Sequence, residues 1–255
     1  MLTDMHCHLQ DPKLFSHLPE ILQKAEKKGV KEFLCCGTSE KDWPDVLYLS
    51  ENYPNIIPAV GVHPWNANSF SSDNMEKFLA KHKNCLVGEI GLDLHFCKES
   101  IALQKNIFLA QLDLAKKYNR SVCIHNLKAW HLLLPIIKKF PHTKIMFHSY
   151  SGSLEITGQL VAQSNIYFSF SGTLLNNSNK SFEKIIGIIP LNRLLIETDS
   201  PYLLPQDSRI ENKKYNEPAN LILILEKIAQ IKKLTTMEMQ KKLTENSKSF
   251  ISRTN

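Results

Sequence analysis

Eight short apolar runs rich in β-branched residues recur along the chain, at 1–5, 30–36, 56–62, 85–90, 121–124, 144–147, 166–170 and 194–197. Each gives way to a polar or glycine-bearing break and then to an amphipathic stretch. Those stretches cover 18–28, 42–52, 74–82, 102–118, 129–140, 153–163 and 180–188, and a final pair at 218–231 and 236–250 closes the series. Apolar positions such as Ile107, Leu109, Leu112, Leu114 and Ala115 follow a broadly helical spacing. Strands alternating with helices imply parallel pairing through right-handed crossovers. A doubly wound open sheet and a closed eight-stranded barrel both satisfy that pattern.

Eight repeats in 255 residues match the size of a (β/α)8 barrel. No G-x-G-x-x-G run follows the first strand, which disfavours a dinucleotide-binding sheet. The expectation is therefore an α/β protein, a single-domain TIM-type barrel over residues 1–255. Residues 176–179 and 206–216 read as surface loops, and no linker or second domain interrupts the repeats.

Hydrophobic content of 43% and charge of 22% suit a globular chain that buries one large core. The six cysteines form no C-x-x-C pair and are too sparse for a disulfide scaffold, so reduced core thiols are expected. Cys7 lies between two histidines, but in an extended strand it points away from both. No basic segment leads into an apolar stretch, and no apolar run approaches the ~20 residues that span a bilayer. These features predict a cytoplasmic, membrane-free protein, taken as a monomer. The net charge of +6 is compatible with a polyanionic substrate.

The reactive residues fall in one kind of place. His6 and His8 follow the first run, His63 the third, and Glu89 sits at the end of the fourth. His125 follows the fifth run, His148 the sixth and Asp199 the eighth. In a (β/α)8 barrel these are C-terminal strand ends, where active sites are built. Because side chains at i and i+2 share a face, Asp4, His6 and His8 are expected to point into the barrel mouth, as are Glu197 and Asp199. Any one of these residues has a purely structural explanation. Four imidazoles and two carboxylates converging on one mouth do not, since burying so many polar groups without a partner is costly. A metal supplies the partner. His17, His82, His131 and His142 lie in helical or loop stretches and read as surface residues, while His95 is a candidate substrate contact.

Such a set suffices for two divalent ions, typically ~3.5–4 Å apart and sharing a water whose pKa falls toward 7. Imidazole and carboxylate donors suit Mg, Mn or Zn alike. A closed structural zinc site would draw on thiolates, and no G-x-S-x-G run offers a serine nucleophile.

Ordered blocks then carry a family resemblance along nearly the whole chain. They are Thr3-Asp4-Met5-His6-Cys7-His8, Gly61-Val62-His63-Pro64 and Gly88-Glu89-Ile90-Gly91-Leu92-Asp93, followed by Gln111-Leu112-Asp113-Leu114-Ala115 and Ile124-His125. Further on come Phe147-His148-Ser149-Tyr150-Ser151-Gly152, Ile196-Glu197-Thr198-Asp199-Ser200-Pro201-Tyr202-Leu203 and Asn216-Glu217-Pro218. The chain resembles the TatD-type metal-dependent deoxyribonucleases of the amidohydrolase superfamily. The resemblance implies a TIM-type barrel with two divalent ions, one held by His6, His8 and Asp199 and the other by His125 and His148. Glu89 would bridge them, Asp199 would also orient the attacking water and take its proton, and His63 would contact the substrate phosphate.

The chain departs from the family pattern at three places. Leu127, followed by Lys128, stands where a basic residue is usual two positions after the strand-five histidine. Leu94-His95 replaces an aromatic pair, and Lys213-Lys214-Tyr215 replaces an arginine before Asn216-Glu217-Pro218. The implied activity is metal-dependent cleavage of DNA, or of RNA, as a 3′-to-5′ exonuclease. A small-molecule amidohydrolase or lactonase on the same barrel is the alternative, and a non-catalytic binding protein would be expected to have lost ligands that are all present here.

Overall fold

In the computed structural model, residues 1–175, 181–210, 212 and 214–252 are described. Residues 176–179, read above as a loop, and Lys213 lie outside them. Eight parallel strands run in sequence order around one sheet: β1 (Leu2–Cys7), β2 (Val30–Cys36), β3 (Ile56–Val60), β4 (Leu86–Asp93), β5 (Val122–Leu127), β6 (Ile145–Phe147), β7 (Ile166–Phe170) and β8 (Leu194–Ile196). The seam between β8 and β1 is closed just beyond the ladder. Asp199 N donates to His6 O at 2.9 Å, and His8 N donates to Ser200 O at 2.8 Å. The sheet is thus a nearly closed (β/α)8 barrel, as the alternation predicts.

The connecting helices are α1 (Pro12–Phe15), α2 (Leu18–Lys27), α3 (Trp43–Asn52), α4 (Ser72–Lys81), α5 (Ile101–Lys117), α6 (Trp130–Ile137), α7 (Leu154–Val161), α8 (Ser181–Ile188), α9 (Leu221–Lys232) and α10 (Thr236–Ile251). Their starts follow from local chemistry. Ser71, Ser100 and Ser153 each accept a hydrogen bond from the backbone N–H three residues on, and Thr235 with Glu238 forms a capping box. In α2, Leu18, Ile21 and Ala25 form the buried stripe. The one-turn helix α1 is absent from the periodicity reading because four residues carry no helical period.

Two apolar layers result. An outer layer packs the helices on the sheet, and an inner layer fills the barrel with Met5, Leu34, Cys36, Ala59, Leu86, Cys123, Met146, Tyr167 and Leu195. Phe250 of α10 joins that inner layer. Ser121 Oγ donates to Phe250 O at 2.6 Å, Thr3 Oγ1 donates to Ser247 Oγ at 3.1 Å, and Tyr167 OH meets Ser249 Oγ at 3.0 Å. The last helix therefore plugs the N-terminal end of the barrel. The C-terminal end is left as the mouth.

Among the described residues no helix is long and apolar enough to cross a membrane. All six cysteines are free, and every one except Cys97 is buried, as expected of core thiols. Cys7 Sγ donates to Leu34 O at 3.4 Å, away from the mouth. His17, His131 and His142 are exposed, whereas His82 is half-buried against Phe78, with ring centroids 4.6 Å apart.

Candidate metal centre

Register irregularities aim the key side chains. Strand pairing shifts between Asp4 and Cys7 on β1 and between Val87 and Ile90 on β4. Such a shift changes which parity faces inward. Met5 and Leu86 therefore belong to the inner layer, and His6 and Glu89, of opposite parity, also face the barrel axis. The same shift overturns one expectation. Asp4 does not reach the mouth; its carboxylate lies in the β1–β8 seam, accepting the Thr198 N–H at 2.8 Å and the Thr198 hydroxyl. Burial pushes its carboxyl up to about 7, against the hydrogen bonds from Thr198.

Two glycines make room. Gly91 has φ of 156°, and a Cβ there would sit 1.9 Å from His125 O. A Cβ on Gly61 would meet Ile90 Cγ2 at 2.6 Å and Glu89 O at 2.8 Å. The strand ends carrying Glu89 and His125 can approach this closely only with no side chain between them. Left-handed backbone at Lys128, Ser149, Asp199 and Leu203 lies just past β5, β6 and β8. Such conformations cost of order 1–3 kcal/mol each and cluster at functional sites.

The seven strand-end residues come together at the mouth. Glu89 lies between two imidazole pairs. Its Oε2 is 3.4 Å from His6 Nε2 and 3.7 Å from His8 Nε2. Its Oε1 is 2.9 Å from His148 Nε2 and 3.1 Å from His125 Nδ1. Asp199 Oδ1 stands 3.6 Å from His6 Nε2 and 3.4 Å from His8 Nε2. Burial disfavours the Glu89 anion, but His148, His63 and His6, with a hydrogen bond from His125, hold it well below the usual carboxylate range. Asp199 is likewise lowered against burial by the nearby imidazoles of His8, His6 and His148.

On His8 the far nitrogen fixes what the near one presents. His8 Nδ1 is 2.8 Å from Cys36 O, which can only accept, so Nδ1 carries the proton and Nε2 a lone pair. His6 Nδ1 faces Cys123 Sγ at 3.1 Å. His125 Nε2 faces Asp93 Oδ2 at 3.4 Å, and His148 Nδ1 faces Glu197 Oε1 at 3.4 Å. Imidazole nitrogens meet in two places: His6 Nε2 and His8 Nε2 are 3.2 Å apart, and His125 Nδ1 and His148 Nε2 are 3.1 Å apart. A cation between such nitrogens relieves their mutual repulsion. The donor set fits divalent ions, and acceptors behind metal-ligating imidazoles are the expected support. Clusters of His6, His8 and Glu89, of His6, His148 and Asp199, and of His63, Glu89 and His125 each have donor atoms within 4.8 Å of one another.

His63 differs from the other four. Its Nε2 is 3.5 Å from Glu89 Oε1, but its Nδ1 accepts the Trp65 N–H at 3.2 Å, which puts the proton of the neutral ring on Nε2. Burial, with His125, His148 and His8 nearby, lowers it to about 3 despite Glu89. It stays neutral at physiological pH and offers an N–H.

The supporting residues are less visible in sequence. Glu197 does not line the mouth as a donor beside Asp199; it accepts the Ser149 N–H at 2.5 Å and stands behind His148. Asp93 lies four positions beyond Glu89 on β4 and touches the same histidine, His125, from the opposite side. Strand parity from Glu89 was the available signal. His95 is exposed at the rim, 3.3 Å from Lys128 Nζ through its Nδ1, and Leu127 O accepts the Leu94 N–H at 3.0 Å.

Fold and donor set together are those of a metal-dependent hydrolase built on a (β/α)8 barrel. Residues 3–252 match the family model of TatD-related DNases. The chain is 32% identical over 253 residues to the uncharacterized metal-dependent hydrolase YabD of Bacillus subtilis (strain 168), covering 97% of this chain and 98% of that protein. It is 27% identical over 262 residues to the human deoxyribonuclease TATDN3, covering 96% and 93%. The crystal structure of YjjV, a TatD homologue of Escherichia coli K12, matches with a TM-score of 0.91 and 25% identity over 98% of this chain and 97% of that one. The chain belongs to the TatD family of metal-dependent hydrolases.

Proposed function

We propose that this protein hydrolyses phosphodiester bonds of DNA, from the 3′ end toward the 5′ end, with two divalent ions. The observation that carries the reading is the division of the donors about Glu89, whose two oxygens each face one imidazole pair. His6, His8 and Asp199 would hold one ion, His125 and His148 the other, and Glu89 would bridge them. The ions, of the Mg, Mn or Zn type, would lower the pKa of a water and offset charge on the phosphoryl oxygens.

The side chains supply the rest. Asp199, kept ionised by its neighbours, orients the water and accepts its proton. Neutral His63 donates its Nε2 proton to a phosphate oxygen, adding a hydrogen bond without a second positive charge. Asp93, hydrogen-bonded to His125 Nε2, orients that ring, and Glu197 stands behind His148, 3.4 Å from its Nδ1. The human relative's name supports DNA as the substrate.

One observation favours a second reading, a small-molecule amidohydrolase or lactonase. Leu127 offers no cation where the family pattern expects a basic residue. One assay separates the two. Pure protein is incubated with single-stranded DNA, RNA and a lactone panel in Mg, Mn or Zn, beside a chelated sample and a Glu89→Gln control. DNA-end cleavage that Glu89→Gln and chelation abolish supports the nuclease. Lactone turnover without DNA cleavage removes it, and full activity after chelation removes both.

A further inference from the structure

The rim of the mouth on the β3–β4 side carries an exposed apolar cluster that the proposed chemistry does not use. Trp65 is 55% exposed, Phe96 63% and Leu94 42%. Isolated exposed apolar residues are ordinary, but a contiguous group beside a site marks a binding surface. The Trp65 and Phe96 rings meet edge to face, their centroids 6.4 Å apart, and both remain more than half exposed.

The mounting of these rings is the informative feature. One buried carboxylate, Asp93, holds both. Its Oδ2 accepts the Trp65 indole N–H at 2.7 Å, and its Oδ1 accepts the backbone N–H groups of His95 and Phe96 at 2.7 and 2.9 Å. The same carboxylate backs His125. The Trp65 and His63 rings are also nearly perpendicular, with centroids 4.9 Å apart. The indole, and the backbone that carries Phe96, are thus anchored beside the metal centre before any ligand arrives, which lowers the entropy cost of binding. Lys128, against His95, brings a positive charge to the same rim.

We infer that Trp65, flanked by Phe96, is a stacking platform for an unpaired nucleobase next to the phosphodiester at the metal centre. The inference rests on the phosphodiesterase reading above. Aromatic faces stack on any base with little regard to sequence, while basic side chains follow the backbone. A duplex end must first unpair and unstack its terminal base to reach the platform, so the platform selects single-stranded ends. Trp65 accordingly contributes affinity and strand preference, and the chemistry remains with the strand-end donors.

The test uses metal-loaded wild type and the variants Trp65→Ala, Trp65→Phe and Phe96→Ala, their folds checked by circular dichroism. Two single-stranded oligonucleotides are compared, one ending in normal 3′ nucleotides and one carrying abasic sugars at its last positions. Trp65→Ala raises KM for the base-bearing strand by about 5- to 150-fold, with a much smaller change in kcat. Trp65→Phe, which keeps a ring but loses the N–H bonded to Asp93, recovers most of the affinity. Wild type is already weak on the abasic strand, where Trp65→Ala adds little. Strand binding quenches tryptophan fluorescence in wild type, and Trp65→Phe loses that quench. Equal losses on both strands, or Trp65→Phe as impaired as Trp65→Ala, would mean that the indole only buttresses Asp93, and would overturn the platform. Wild type inert on both strands in Mg, Mn and Zn would instead bring down the phosphodiesterase reading itself.

Discussion

Asp4 and Thr198, 194 positions apart, join the first strand to the segment after the last through two hydrogen bonds to one buried carboxylate. Thr198→Val keeps the shape but leaves one Asp4 oxygen without its donor. A buried acceptor without a partner costs roughly 1–3 kcal/mol. The urea midpoint should fall by that equivalent with an unchanged slope. An unmoved midpoint would show that the seam does not depend on this pair.

Glu89 faces both imidazole pairs, so its loss should act on both ions at once. Glu89→Gln is expected to lower bound metal, read by elemental analysis, and to reduce turnover by well over ~100-fold. Glu197→Gln and Asp93→Asn, each of which backs only one of the metal-facing imidazoles, should cost about 10- to 100-fold in metal affinity or activity. If Glu197→Gln proved as damaging as Glu89→Gln, the division between donor and support would be wrong.

For His63 the expected signature is kinetic. With its proton on Nε2 it serves binding, so His63→Ala should raise KM about tenfold for one lost hydrogen bond of ordinary strength. Bound metal should be unchanged. A fall in metal content would instead make His63 a ligand, as its distance from Glu89 and His125 alone would allow.

Thiol chemistry tests the packing. Five cysteines are buried, and burial pushes Cys35 up to about 12 and Cys123 to about 11. Only thiolates react readily with disulfide reagents. The native protein should therefore show one slowly reacting group, Cys97, and all six after denaturation. Two or more fast thiols in the native state would contradict the closed inner layer.

The barrel and its ligand candidates were legible because strand ends announce themselves. His63, His125, His148 and Asp199 each follow an apolar run, Glu89 sits at the end of one, and the runs recur along the whole chain. Asp4 was misplaced because parity counting assumes an unbroken register, and the shift between Asp4 and Cys7 breaks it. Glu197 kept its predicted face but not its predicted work, since only the position of Ser149 and His148 makes it a support. The plug formed by α10 was hidden for another reason. Its apolar spacing is that of any amphipathic helix, and nothing local says which surface it will meet.

The hydrogen bond from Asp199 to His6 has a consequence for how the protein comes into being. A ribosome releases His6 early and Asp199 much later, and neither carboxylate nor imidazole is positioned until the two ends of the sheet meet. A nascent or prematurely terminated chain lacking β8 holds most of the donors but not their geometry. Hydrolytic competence is thereby expected only once translation has passed the final strand.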